Sequence, residues 1–459
     1  MGSGHVPLTV QAELTYREGE FRRGLSIIIE GGRIKSVGSA VAGEVIRLPR
    51  RAITPGLVSA HSHAFQRLLR GATEWRAEGR DDFWAWREHM YGVVSRLSPE
   101  GLEEVCAFTF LEMLRAGITT VGEFHYLHRD SEGQPYADPN ELALRVIAAA
   151  ERVGIRIALL NCAYARGGSN RPLAGAQRRF DCGSIAGFLG ATEDLERAVL
   201  GHPLVTVGLA PHSVRALDRS QLEELARGSA KRDWPVHMHL AEQPAEVEAC
   251  LAETGLRPVE LAAETGLLSS RFAAVHAIHV QQSEIDLLGQ AGAVVCACPT
   301  TERDLGDGIV PADALRHAGV RLALGTDSNA QIDLLEEARS MELNLRLLRQ
   351  ERILVDSGRG EPGWLARTLF EAASAGGSVA LGLPPGGMEP DQLADLVSWD
   401  LDDPSLVGRE DQLLARLVFG GQTRAITDVM VNGRFVVRDG NHPEEWKITE
   451  RFARIAAAL

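Results

Sequence analysis

Eight apolar runs, each followed by a segment of helical character, constrain this chain more than any other feature. They lie at Pro55–His63, Gly117–Tyr126, Arg156–Tyr164, Leu204–Ser213, Pro235–Gln243, Phe272–Val280, Ala293–Thr300 and Arg321–Asn329. The helical segments between and after them include Glu141–Val153, Gln221–Gly228 and Ile332–Gln350. Continuously apolar strands suit a parallel sheet covered on its outer face. Repeated strand-then-helix units predict an α/β protein built as a (β/α)8 barrel, which needs about 250 residues before insertions. A doubly wound open sheet is the competitor, weakened because no strand leads into a G-x-G-x-x-G turn and a helix.

Outside this region the pattern is different. Ser26 to Glu30, a Gly31-Gly32 turn, and Arg33 to Val37 read as a hairpin, and Asp428 to Val431, Asn432-Gly433, and Arg434 to Arg438 read as another. Asp395 to Trp399 is a further strand candidate. Two small β-rich pieces gain a core by packing together, so we expect a discontinuous β-sandwich domain. Its first part spans 1–54, the barrel 55–390, and its second part, with a C-terminal helix, 391–459. Met1 to His5 reads as a mobile tail. Trp75 to Tyr91, rich in aromatic and charged residues, interrupts the first β-α unit and is expected over the barrel mouth, where this fold builds its active sites.

Composition excludes several partners. A formal charge of −14 over 459 residues argues against nucleic acid. It does not argue against a small anionic ligand, because a few arginines dominate their own surroundings. There is no run of about eighteen apolar residues and no basic-then-apolar leader, so no membrane is expected. Six dispersed cysteines suggest a reducing, cytoplasmic setting. Cys296 and Cys298 share one face of a strand; a metal role is conceivable, but they read as buried apolar side chains.

The strand ends carry the chemistry. The first ends in His61-Ser62-His63, whose side chains point the same way because strand side chains alternate. Alone, such a pair reads equally well as ordinary loop histidines. The fifth strand carries His237 and His239 and runs on to Glu242, the sixth contains His276, and the eighth ends in Thr326-Asp327. The second strand ends in Glu123-Phe124-His125-Tyr126 and the fourth in His212-Ser213-Val214-Arg215. A barrel brings these ends to one rim. Three imidazoles and one carboxylate, with a position left for water, suit one divalent metal ion, with zinc favoured over iron or manganese.

These residues resemble the amidohydrolase superfamily along the whole chain. The resemblance implies that His61, His63, His239 and Asp327 hold the metal, and that His276 lies beside the reacting water. Many members bridge two metals with a carboxylated lysine on strand four, but no lysine stands between Lys35 and Lys231, so a one-metal site is expected. Glu242, three residues after His239, matches the glutamate of one-metal deaminases. In such a site zinc supplies water with a pKa of about 7. Asp327 and His276 would take its proton, and Glu242 would deliver one to the leaving nitrogen.

Within the superfamily the chain resembles the formimidoylglutamate deiminases, which act on N-formimino-L-glutamate. The matching stretches are His61–Arg67, Phe83–Glu88, Glu123–Tyr126, His212–Arg215, His239–Gln243 and Leu305–Gly308. The resemblance implies that Gln66 contacts the formimino end and that Arg87, Tyr126, His212 and Arg215 hold the glutamate carboxylates. It also implies a homodimer. Fixed arginines suit a dianionic substrate, because guanidinium grips carboxylate in a planar fork. Glu302-Arg303-Asp304 departs from the smaller, neutral residues expected before the Leu-Gly-Asp-Gly turn. The alternatives are a deaminase of guanine or a related ring, an imidazolonepropionase-like ring hydrolase, and a metal-free binding or scaffold relative.

Overall fold

The computed structural model describes residues 6–75, 83–356 and 360–458. Met1 to His5 and residues 76–82 of the aromatic segment lie outside the described residues. The chain opens with β1 (Leu8–Arg17), β2 (Glu20–Arg22), β3 (Ser26–Glu30), β4 (Arg33–Gly38) and β5 (Glu44–Pro55). Eight strands follow: β6 (Leu57–Ser62), β7 (Ile118–His125), β8 (Arg156–Ala163), β9 (Val205–Pro211), β10 (Val236–Leu240), β11 (Phe272–His276), β12 (Val294–Ala297) and β13 (Arg321–Leu324). β14 (Leu396–Asp400), β15 (Ile426–Val431), β16 (Arg434–Val437) and a helix, Glu445–Ala458, complete the chain.

Each of the eight predicted apolar runs contains one strand of β6 to β13, and these pair in sequence order with every pairing parallel. Closure comes at the ends of the first and last of them. Asp327 N–H donates to His61 O at 3.0 Å, and His63 N–H donates to Asp327 O at 2.9 Å. The backbone that closes the barrel is thus the backbone that carries three of the predicted metal ligands. Small apolar side chains fill the interior, among them Ala60, Ala273, Val275, Cys296, Cys298 and Ala323. A short helix, Ala375–Ala380, packs against this barrel at very close range. A Cβ on Gly376 would sit 2.1 Å from Leu322 O, so only glycine permits that approach.

Both chain ends build a second sheet, in the order β16-β15-β14-β5-β1-β3-β4 with β2 on β1. The two predicted hairpins are β3–β4 and β15–β16. The turn after β3 comes back to the segment before β14, where Ala394 N–H donates to Gly32 O and Ile34 N–H to Gln392 O, both at 2.9 Å. The sheet thereby encloses its own core of Val10, Ile27, Ile29, Ile34, Leu48, Ile53, Leu396 and Met430. Pairing of β1 with β5 is parallel. It joins strands separated by a hairpin, so no local turn signal announces it. Arg156, first residue of β8, fastens the two sheets together through a bidentate pair with Asp395, at 2.8 and 3.1 Å. Among the described residues, no helix is long and apolar enough to cross a membrane.

Candidate active site

His61, His63, His239 and Asp327 are all buried, and each offers one ligand atom within 4.8 Å of the others. Their elements explain the convergence. His61 lies on β6 with His63 one residue past its end, His239 is the penultimate residue of β10, and Asp327 follows β13. Asp327 has a backbone φ of 44° and His276, the last residue of β11, one of 69°. This is left-handed geometry that non-glycine residues adopt at a cost of about 1–3 kcal/mol, and it tends to mark functional positions.

The hydrogen-bonding pattern shows that the four residues fit a cation. His63 Nδ1 lies 3.0 Å from Phe124 O, and His239 Nδ1 lies 3.0 Å from His212 O. A carbonyl only accepts, so both Nδ1 atoms carry hydrogen, and in a neutral ring Nε2 then has none. Yet His63 Nε2 stands 3.3 Å from His239 Nε2. Two bare lone pairs facing each other are not a hydrogen bond; a positive ion between them resolves the repulsion. Burial pushes His61 down to about 3 and lowers His63 and His239 as well, so the rings are neutral and ready to ligate at neutral pH. Burial works against the Asp327 carboxylate, but the hydrogen bond from His61, 3.3 Å from Oδ1, and the neighbouring imidazoles hold it below the usual carboxylate range. Glu123 Oε1 accepts from Ala64 N–H at 2.7 Å, which fixes the turn just after His63.

His276 and Glu242 flank the cluster. His276 Nε2 lies 3.7 Å from Asp327 Oδ2 and 3.8 Å from Glu242 Oε1. Burial opposes charge on His276, but the Glu302 hydrogen bond and the Glu242 and Asp327 charges outweigh it and push the ring up to about 10 in the metal-free site. A divalent cation held by the four neighbouring ligands would oppose that second proton.

One cavity collects the remaining predicted residues. Gln66, Arg87, Tyr126, His212 and Arg215 all line it, together with His63, His239, Glu242, His276 and Asp327. Gln66 Nε2 donates to the Tyr126 hydroxyl at 2.9 Å, leaving Gln66 Oε1 without a partner. Arg215 Nη2 donates to Glu242 Oε2 at 2.7 Å, while Arg215 Nη1 and Arg87 Nε have no hydrogen-bond partner. Unpaired buried donors and acceptors cost stability unless a ligand satisfies them. The guanidinium of Arg87 lies 4.6 Å from the Trp84 ring centroid and that of Arg215 lies 5.3 Å from the Phe83 centroid.

Several lining residues escaped the sequence reading. Phe83, Trp86, Met90 and Tyr91 join the predicted Arg87 on one face of the helix Phe83–Val94. That period is visible in the sequence. Tyr164, Phe180 and Thr301 carry no comparable signal. The Glu302-Arg303-Asp304 departure resolves into the helix Pro299–Leu305. Arg303 and Asp304 face out, and Glu302 is buried with Oε1 3.3 Å from His276 Nδ1. Cys296 and Cys298 are fully buried, as the apolar strand predicts.

Comparison with known proteins agrees with this geometry. The model of the amidohydrolase family matches residues 52–436. The formimidoylglutamate deiminase of Pseudomonas aeruginosa is 41% identical over 410 residues, 89% of each chain. A 5-methylthioadenosine/S-adenosylhomocysteine deaminase of Natronomonas pharaonis is 30% identical, covering 89% of this chain and 87% of that protein. The crystal structure of an amidohydrolase from Brucella melitensis superposes with a TM-score of 0.90 at 34% identity, covering 98% of this chain and 99% of that one. With a barrel closed at its ligand-bearing strand ends and a cluster fitted to a metal, the chain belongs to the amidohydrolase family and is a hydrolase of carbon–nitrogen bonds other than peptide bonds.

Proposed function

We propose that this protein hydrolyses N-formimino-L-glutamate to N-formyl-L-glutamate and ammonia. The observation that carries the reading is the pairing of two guanidiniums, Arg87 and Arg215, with the histidine–aspartate cluster in one cavity. A planar purine needs aromatic faces and few cations; a dicarboxylate needs fixed cations. The similarity to the Pseudomonas aeruginosa enzyme supports the same choice.

His61, His63, His239 and Asp327 would hold one zinc ion, whose contribution is to make water acidic enough to attack at neutral pH. His276 Nε2 and Asp327 Oδ2, 3.7 Å apart, are placed to receive the proton that water gives up as it adds to the amidine carbon. Glu242, 3.8 Å from His276 Nε2, shuttles that proton to the terminal nitrogen of the amidinium adduct, which leaves as ammonia as the adduct's hydroxyl gives its own proton to Asp327 and becomes the formyl oxygen. Gln66, with its carbonyl oxygen free, accepts from the formimino N–H. Arg87, Arg215, Tyr126 and His212 hold the two carboxylates. Phe83, Trp86 and Tyr91 line the cavity, and their rings limit the room for bulk water beside the substrate.

The test is to supply N-formimino-L-glutamate and measure ammonia and N-formylglutamate, with and without chelator. Guanine and 5-methylthioadenosine serve as controls. Equimolar products that disappear on chelation support the assignment. Ammonia from a purine and none from the formimino compound would overturn it while leaving the family intact.

A further inference from the structure

We propose that Glu302 is a positioning residue for the reaction, which fixes the tautomer of His276 so that Nε2 faces the reacting centre as a proton acceptor. Glu302 is 2% exposed and lies in the helix that follows β12. Its Oε1 accepts from Cys298 N–H at 2.8 Å and stands 3.3 Å from His276 Nδ1. A carboxylate only accepts, so Nδ1 carries the hydrogen and Nε2 of the neutral ring is bare.

The alternative tautomer has a clear driving force. His276 Nε2 faces two carboxylates, Asp327 at 3.7 Å and Glu242 at 3.8 Å, and either would accept from an Nε2–H. With nothing behind the ring, the single hydrogen would move to Nε2, and that atom would become a donor unable to take a proton from the reacting centre. Glu302 supplies the opposing contact from the far side. The backbone assists, since φ of 69° at His276 and 51° at Ala277 turns the chain sharply at the ring's attachment. The same logic operates wherever a carboxylate orients a proton-transferring imidazole through its other nitrogen.

The inference rests on the proton-accepting role given to His276 above, so the test combines a kinetic and a spectroscopic arm. Zinc-loaded wild type, Glu302→Leu and Glu302→Gln are compared for kcat, KM and zinc content with N-formimino-L-glutamate. Zinc-loaded, histidine-labelled protein gives the tautomer of His276 by 15N NMR, with His276→Gln for assignment. Glu302→Leu is expected to lose about 10²–10⁴ in kcat with KM and zinc content nearly unchanged. Glu302→Gln keeps an oxygen that Cys298 N–H holds toward Nδ1, and should recover at least about tenfold of the loss. The NMR should show hydrogen on Nδ1 in wild type and on Nε2 in Glu302→Leu. Nε2–H in the wild type, an unchanged tautomer in Glu302→Leu, or loss of zinc in proportion to activity would each overturn the proposal. Failure of the wild type to release ammonia would instead remove the substrate assignment, and the NMR result would still decide the role of Glu302.

Discussion

Arg215 holds Glu242 at 2.7 Å, joining a residue assigned to the substrate's carboxylate with one assigned to its departing nitrogen. Its second terminal nitrogen has no hydrogen-bond partner, and the residue lines the same cavity. A substrate carboxylate therefore has a ready donor beside the proton-delivering group.

Arg215→Gln should lower kcat/KM for N-formimino-L-glutamate by about 2–5 kcal/mol of lost binding, roughly 30-fold or more. Formamidine has the same reacting carbon and no carboxylate. The preference for the glutamate compound over formamidine should fall by about tenfold at least. Steady-state kinetics with both substrates checks this; an unchanged ratio would place the carboxylate elsewhere.

Glu242→Gln should cost about 10²–10⁴ in kcat, the usual range for removing a general acid or base. Zinc content should stay at the wild-type level, because Glu242 stands outside the four-residue cluster. Elemental analysis beside the kinetics separates the two effects, and metal lost in step with activity would make Glu242 a ligand.

His237 lies two residues before His239 on the same face of β10, and its Nε2–H donates to Ala380 O at 2.7 Å. Burial pushes it from 6.5 down to about 4. As pH falls below 6.5 the unfolded chain binds this proton before the folded one does. The contribution is thus complete above about 6.5 and lost toward pH 4, by up to about 3 kcal/mol. His237→Gln keeps a donor without the titration. Urea unfolding of metal-free protein at pH 7 and pH 5 should show a drop about 2 kcal/mol smaller in the variant. Equal drops would mean that other groups set the acid limit.

Asp395→Ala leaves the Arg156 guanidinium buried without its carboxylate. Breaking such a pair costs about 3–5 kcal/mol. Denaturant unfolding should register that loss, while kcat well below the unfolding temperature stays at the wild-type value, since the pair lies at the start of β8, away from the ligand-bearing strand ends. A matching fall in kcat at low temperature would show that the two sheets communicate with the site.

The barrel was legible because its strands are buried on both faces and read as unbroken apolar runs. Its site was legible because His61, His63, His239, His276 and Asp327 interrupt those runs at their ends. The relations Glu302–His276 and Arg215–Glu242 were not. Each involves at least one side chain on a loop or short helix, where no period marks which way a residue faces. Glu302 looked like a misfit because a charged residue in a turn normally faces water; its burial depends on a partner 26 positions away. The parallel pairing of β1 with β5 and the clasp of Arg156 on Asp395 are likewise long-range choices made by packing.

Zinc content set beside ammonia release tests the central claim most directly, with N-formimino-L-glutamate as substrate and His239→Ala as the comparison. The account predicts about one zinc per wild-type chain, equimolar ammonia and N-formylglutamate, and loss of both metal and turnover in the variant. Full turnover by chelated, zinc-free protein, or full zinc retention by His239→Ala, would contradict it.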